Sequence, residues 1–402
     1  MSKVVVVGAG QAGAAAVAKL RNSGFDGQIT MIGAEEALPY QRPPLSKKYM
    51  LGEIELERLF LRPQSFYDDH NITLQLGSHV TKIDRDARTV ITDAGSLSYD
   101  NLILATGSWP RRLPPAIGGD LRGVYVMRDL SDADAMAAEF QKDRHVLIIG
   151  GGYIGLEAAA VAAQKGLRVT LVEMADRILQ RVAAPQTSDY FRELHQKHDV
   201  AIKEGVGLDR LTGTDGQVSG ARLTDGTELD IDFAIVGVGI APATELAEAA
   251  GLEIDNGIKT NTFGQTSDPY IWAAGDCASF PHDGAMMRLE SVPNAIDQAE
   301  VVAQNILGAQ MAYTPKPWFW SDQYDIKLQI AGLNAGYDTV VTRKDGEATS
   351  FWYFNGDALL AVDAMNDPKS FMIGKRLIEA GKTADKSNVA DPNFILKDLL
   401  KA

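Results

Sequence analysis

Two hexapeptides in this chain carry the spacing GxGxxG: Gly8-Ala9-Gly10-Gln11-Ala12-Gly13 and Gly150-Gly151-Gly152-Tyr153-Ile154-Gly155. Three glycines at that spacing suit one task, which is to hold a pyrophosphate against main-chain N–H groups. The first glycine lets the chain turn sharply. The second lets the phosphate approach the backbone, and the third lets a helix lie close on a strand. An acid near the end of the following strand completes the pattern by accepting from a ribose hydroxyl. Glu173 stands at that place after the second hexapeptide. After the first, the strand end holds Gly33, and Glu35 or its neighbour Glu36 is the acid within reach.

Each hexapeptide needs a strand before it and a helix after it. Residues 4–7 are four valines, and residues 146–149 read VLII; both suit buried strands. Ala-rich runs follow at 12–20 and 156–165 and read as helices, whose positive N-terminal ends face the turn. Residues 28–32 and 167–173 read as the next parallel strands. Residues 99–107 (YDNLILATG) and 233–239 (FAIVGVG) are buried strands ending in small residues. The stretch YIWAAGD, residues 270–276, reads as a further strand of the first unit, so the second unit is inserted within the first. The expected division is 1–111 with 244–320, then 112–243, then 321–402. The last part changes character, with an antiparallel meander over 327–332, 339–343, 349–354 and 358–363 and helices over 371–380 and 392–400. The fold class is α/β, with two dinucleotide-binding (Rossmann-like) domains and a C-terminal α+β domain. Within the first domain lies YQRPPLSKKY, residues 40–49, where the prolines should delay a helix until Leu45 and Ser46 could cap it.

Composition narrows the partners. The 402 residues include 39 Lys and Arg against 53 Asp and Glu, a formal charge of −14. That disfavours nucleic acid and anionic membranes, and leaves room for a local basic patch facing an acidic protein. The chain has one cysteine, Cys277, so it can form neither an internal disulfide nor a CxxC redox pair, and no metal site is expected. Residues 4–7 are a first strand rather than a signal peptide, and no apolar run is long enough to span a membrane. The expectation is a soluble cytoplasmic protein.

GAGQAG, ATG, GGGYIG with LVE, VGVG and AAGD occur here in the order seen in the two-dinucleotide flavoprotein reductases of glutathione-reductase-like fold. With RPPLSK, ESVPNA and PWFWSDQY, the chain resembles the putidaredoxin-reductase-like ferredoxin reductases of bacterial haem-thiolate monooxygenase and aromatic-ring dioxygenase systems. The resemblance covers essentially the whole chain. It implies FAD in the first domain and NADH in the inserted one. The FAD positions it implies are Gly8, Gly10, Ala12, Gly13, Glu35, Lys47, Val80, Arg128, Asp276, Val292 and Trp320. Those for NADH are Gly150, Gly152, Tyr153, Ile154, Gly155, Glu173, Gly239 and Glu290. Lys47, Glu157 and Tyr153 are implied as catalytic, with Lys47 and Glu157 paired beside the flavin and Tyr153 as a gate. A monomer or weak dimer is expected.

Three readings refine this. Glu173 accepts from an adenosine 2′-hydroxyl and would repel a 2′-phosphate, which favours NADH, although Arg177 lies close in sequence. Relatives that reduce disulfides carry cysteines where this chain has residues 40–48, and there are none here. Cys277 is read as structural. Electrons therefore leave singly for an external acceptor, a 2Fe-2S ferredoxin, docking through Arg62 and the C-terminal domain. In that family a relative carries arginine where this chain has Glu300. Other readings are the reductase of an aromatic-ring dioxygenase, a rubredoxin reductase, or a redox-responsive signalling protein of the apoptosis-inducing-factor type.

Overall fold

β-Branched runs bury well on both faces of a parallel sheet, because the pleated surface accepts their stiff side chains. Two such sheets organise the structure, a computed structural model that describes residues 2–401. The chain groups into two units. One holds residues 1–41, 56–109 and 240–317, and the other holds 42–55, 110–239 and 318–402.

In the first unit, the strand Lys3–Val7 lies between Gln28–Ile32 and Asn101–Leu104, with Ile72–Gln75 and Ile271–Ala273 at the two edges. Its odd and even residues feed two cores. Val4 and Val6 join Val17, Leu20, Met31 and Val302 under the helices Gln11–Asn22 and Val292–Ile306. Val5 and Val7 join Ile83 and Val90 from a small antiparallel sheet on the other face. The alanines of the first helix let it sit close on the sheet.

In the second unit, His145–Ile149 lies between Arg168–Glu173 and Phe233–Val236, flanked by Ala201–Glu204 and Val124–Tyr125. The helix Tyr153–Gln164 follows the glycine turn, and Pro185–Gln196 is the next long helix. The same unit contains the antiparallel sheet ordered Trp318–Gln323, Ile326–Gly332, Ala358–Met365, Ala348–Asn355 and Thr339–Asp345.

Local boundaries depart from expectation where caps and prolines act. A 3₁₀ turn over Pro43–Ser46 begins at the prolines themselves, since proline suits the first helical position. Ser46 caps no helix. The helix expected from Phe371 starts at Pro368, because Asp367 accepts the Ser370 N–H and caps it there. The stretch expected to be helical over 392–400 is a 3₁₀ turn, Leu396–Lys401. Among the described residues, no helix is long and apolar enough to cross a membrane.

Candidate active site

The two glycine turns can be compared atom by atom. Gly8 has φ +116°, and a Cβ there would lie 2.1 Å from the Ala105 carbonyl oxygen; at Gly13 it would lie 1.9 Å from the Gly8 carbonyl oxygen. The second turn repeats this, with Gly150 (φ +108°) 2.4 Å from the Gly237 oxygen and Gly155 2.0 Å from the Gly150 oxygen. The chain itself therefore requires the outer glycines. The middle ones are different. Gly10 (φ −88°, ψ −161°) and Gly152 (φ −81°, ψ −179°) have extended backbone that any residue adopts, and a Cβ at either meets no protein atom within 4 Å. What calls for glycine there is a group outside the chain that presses against the backbone, as a pyrophosphate does. Both residues are helix N-caps with no side-chain cap, so the first-turn N–H groups suit an anion. These residues fit a dinucleotide at each turn.

Strand register decides which acids belong to the pattern. Val7 pairs with Ile32 and Ile149 with Val172, so Gly33 and Glu173 are equivalent positions. Glu173 accepts from the Gly151 N–H at 2.7 Å and from the Ala175 N–H at 2.8 Å, which fixes the carboxylate at the turn. At Gly33 a Cβ would come within 2.7 Å of the Ala9 Cβ, so no acid fits there. Glu35 instead sits further on, its carboxylate accepting from the Tyr40 hydroxyl at 2.5 Å. Arg177 is held by its own loop, donating to the Ser188 hydroxyl at 2.6 Å and the Ala183 carbonyl at 2.8 Å.

The second unit also contains Lys47 and Glu157. Lys47 Nζ lies 2.9 Å from Glu157 Oε1, and Glu157 is 2% exposed. A pair so deeply buried is costly unless its remaining lone pairs are filled. They are: Ser321 donates to Oε1 at 2.6 Å and Ser46 to Oε2 at 2.8 Å. Both oxygens of Glu157 are thus engaged within the protein. Tyr153, one helical turn before Glu157, packs its ring against Phe319 with centroids 4.9 Å apart. Its hydroxyl is buried with no hydrogen-bond partner, and burial pushes the phenol well above its usual range. An orphaned donor of this kind suits an acceptor on a bound group.

The other predicted residues divide between the units. With Gly8–Gly13 stand Val80 in its strand and Asp276, which accepts from the Ser108 hydroxyl at 3.1 Å. Val292 is the first residue of its helix, capped by Ser291. Arg128 and Trp320 belong to the second unit; the Arg128 carbonyl accepts from Arg42, and Trp320 lies 5.5 Å from Trp318, which packs on Phe371. Gly150–Gly155, with exposed Ile154, share that unit with Glu173 and Gly239, which has φ +104°. Glu290 does not: it is an exposed residue of the first unit, 2.5 Å from Arg288. Arg62 is exposed, its guanidinium over the Phe66 ring.

Comparison with known proteins matches residues 2–299 to the pyridine nucleotide-disulphide oxidoreductase family and residues 318–400 to the reductase C-terminal family. Rhodocoxin reductase of Rhodococcus erythropolis is 42% identical over 98% of this chain and 93% of its own length. A ferredoxin–NAD(P)(+) reductase of a Sphingomonas species is 44% identical over 99% of this chain and 97% of its own. The structure of putidaredoxin reductase covalently joined to putidaredoxin superposes with a TM-score of 0.96 at 40% identity, covering all of this chain and 98% of that one. The chain is a ferredoxin reductase of the pyridine nucleotide-disulphide oxidoreductase family. Like that family, it is an oxidoreductase and flavoprotein that uses FAD and a nicotinamide nucleotide.

Within a family named for disulfides, this ferredoxin reductase has only Cys277. The thiol is fully buried, donates to the Leu104 and Ala274 carbonyls at 3.5 and 3.4 Å, and burial raises it above its usual range. It packs; it does not react. Sequence reasoning missed Ser46 and Ser321 as partners of Glu157. The one available signal was Ser321 and Gln323 sharing a face of a strand that opens with three aromatic residues.

Proposed function

We propose that this ferredoxin reductase takes electrons from NADH and passes them singly to a 2Fe-2S ferredoxin serving a haem-thiolate monooxygenase. FAD, when bound, is the group that accepts a hydride and gives up electrons one at a time. The observation that carries the proposal is the lone, buried Cys277: no disulfide can take the electrons inside the chain, so the acceptor is external. In this reading the division is 1–111 with 244–320 for FAD, 112–243 for NADH and 321–402 for the third domain.

The chain's own residues then have distinct tasks. Gly8, Gly10, Ala12 and Gly13 hold the FAD pyrophosphate, and Glu35 its ribose. Val80, Arg128, Asp276, Val292 and Trp320 hold the rest. Gly150, Gly152, Ile154 and Gly155 hold NADH, with Gly239 and Glu290 as further contacts. Glu173 receives the 2′-hydroxyl, and the internal bonding of Arg177 engages a cation that would otherwise welcome a 2′-phosphate. Lys47, oriented by Glu157, presents a positive charge to the redox centre, and Tyr153 gates the nicotinamide.

Relatives are named for more than one kind of system, including a ferredoxin reductase for the CYP199A2 system and an anthranilate 1,2-dioxygenase reductase component. The separating experiment is a titration of the NADH-reduced holoenzyme with ferredoxins from each system and with a rubredoxin. Faster transfer to the monooxygenase ferredoxin is expected; preference for either other class would reassign the partner. Arg62→Glu should slow ferredoxin reduction more than ferricyanide reduction, and equal slowing would remove Arg62 from the docking face.

A further inference from the structure

The hydrogen bonds around Glu157 do not stop at Ser321. Gln323 lies two residues on and shares the Ser321 face of the strand. Its Nε2 is 3.2 Å from the Ser321 hydroxyl, and its Oε1 is 2.8 Å from Nε2 of His195. The other ring nitrogen of His195, Nδ1, is 3.1 Å from the Tyr324 hydroxyl. Ser321, Gln323 and His195 are fully buried, so no bulk water competes for these atoms. All belong to the same unit as Lys47 and Glu157.

Valence sets the direction of every link. The Glu157 carboxylate, paired with Lys47, only accepts. Ser321 has one hydroxyl proton and must give it to Glu157, so toward Gln323 it can only accept. Gln323 therefore donates through its amide nitrogen and turns its oxygen to His195. His195 must then carry its proton on Nε2, which leaves Nδ1 bare to accept from Tyr324. Burial lowers the His195 imidazole to about 4, consistent with a neutral ring holding a single proton. Tyr324 reaches this place at a cost: its φ of +55° is left-handed, unusual for an aromatic residue. The His198 ring stacks on it at 3.7 Å.

We infer that Tyr324, His195, Gln323 and Ser321 form a one-way chain of donors that ends on Glu157 and holds its carboxylate against Lys47. They are positioning residues for the reduction step. Aligned donors polarise one another, so the negative charge on Glu157 is stabilised by the whole chain rather than by one hydroxyl. The inference rests on the role proposed above for the Lys47–Glu157 pair.

Two measurements test it. First, the holoenzyme is labelled with ¹⁵N-histidine and His195 is assigned by its loss in His195→Gln. A neutral ring protonated on Nε2 at pH 6 and pH 7 is expected; an Nδ1 proton or a cationic ring overturns the chain. Second, flavin bleaching by NADH is followed by stopped flow. Ser321→Ala should slow it about tenfold at saturating NADH, with the NADH Kd within about twofold, and Ser321→Thr should restore it. Gln323→Glu should match Ser321→Ala, because a carboxylate cannot donate to Ser321. Tyr324→Phe should slow the step about threefold. A slow Ser321→Thr, or a Gln323→Glu as fast as the parent, overturns the inference. Glu157→Gln separates the two readings. If it is as fast as the parent, the role of the pair fails and the positioning role with it. If it is slow while Ser321→Ala and Gln323→Glu are fast, only the chain fails.

Discussion

The two glycine turns share a backbone and differ in what surrounds it. Gly8 and Gly13 match Gly150 and Gly155 in φ or in the carbonyl a Cβ would strike, and Gly10 matches Gly152 in meeting nothing. The differences begin at side chains. Where the first turn has Ala9 against Gly33, the second has Gly151 against Glu173, and the acid binds the turn's own N–H. On the following helix, Ala15 in the first unit corresponds to Glu157 in the second, each two residues past the last glycine of its turn and four past Gln11 or Tyr153. The first helix buries only small and aliphatic residues on its sheet, whereas the second buries a carboxylate inside a polar network. Backbone geometry makes the turn; side chains decide what surrounds it.

That comparison can be broken most forcefully at the third glycines. Gly155→Ala places a Cβ against a backbone oxygen that cannot move aside. The protein should stay yellow while NADH-driven bleaching falls about 100-fold. Gly13→Ala should instead yield protein without bound flavin, read from its visible absorbance. If the two variants exchange phenotypes, the assignment of the turns is reversed.

The middle glycines sharpen it. Gly10→Ala and Gly152→Ala should change unfolding free energy by less than about 0.5 kcal/mol, since nothing in the chain resists the methyl group. Yet Gly152→Ala should weaken NADH about thirtyfold, and Gly10→Ala should weaken FAD similarly. Calorimetry beside ligand titration checks both, and a stability loss without an affinity loss would contradict the argument.

The polar network predicts a pH signature confined to the second unit. The His195 pKa falls from 6.5 to about 4 on folding, so the unfolded chain binds a proton that the folded one refuses. Its contribution is complete above pH 6.5 and is lost as pH falls toward 4. Between pH 7 and pH 5 this loss is about 2 kcal/mol, and His195→Gln should recover it in urea unfolding. Asp363, buried against Tyr353 and Thr187 and raised to about 6, acts oppositely: its protonated form is favoured on folding, so stability falls as pH rises toward and past 6. Asp363→Asn should therefore steepen the loss on acidification that His195→Gln removes.

The smallest effect is expected at Glu173. Glu173→Gln should narrow the preference for NADH over NADPH about tenfold in kcat/KM. Equal use of both nucleotides by the parent would remove Glu173 from its role.

Much of the fold was legible because glycine spacing and β-branched runs are local signals, and the parallel strands and helices fall where those signals lie. Glu173 was legible for the same reason: it ends a strand. The partners of Glu157 were not. Ser46 looked like a helix cap, and Ser321 sat unremarked beside two tryptophans, because a hydrogen bond across 164 residues leaves no periodic trace. Gln323, His195 and Tyr324 were equally silent.

By itself, the order of residues determined two nucleotide turns, a C-terminal antiparallel domain and a chain with no sulfur pair, since each of these depends on composition or on neighbours close in sequence. Tertiary structure alone decided that two serines fill the remaining valences of the Lys47–Glu157 pair, and that a histidine must hold its proton on one nitrogen. Those outcomes follow from desolvation: once a charge is buried, every lone pair near it must find a partner, wherever in the chain that partner lies.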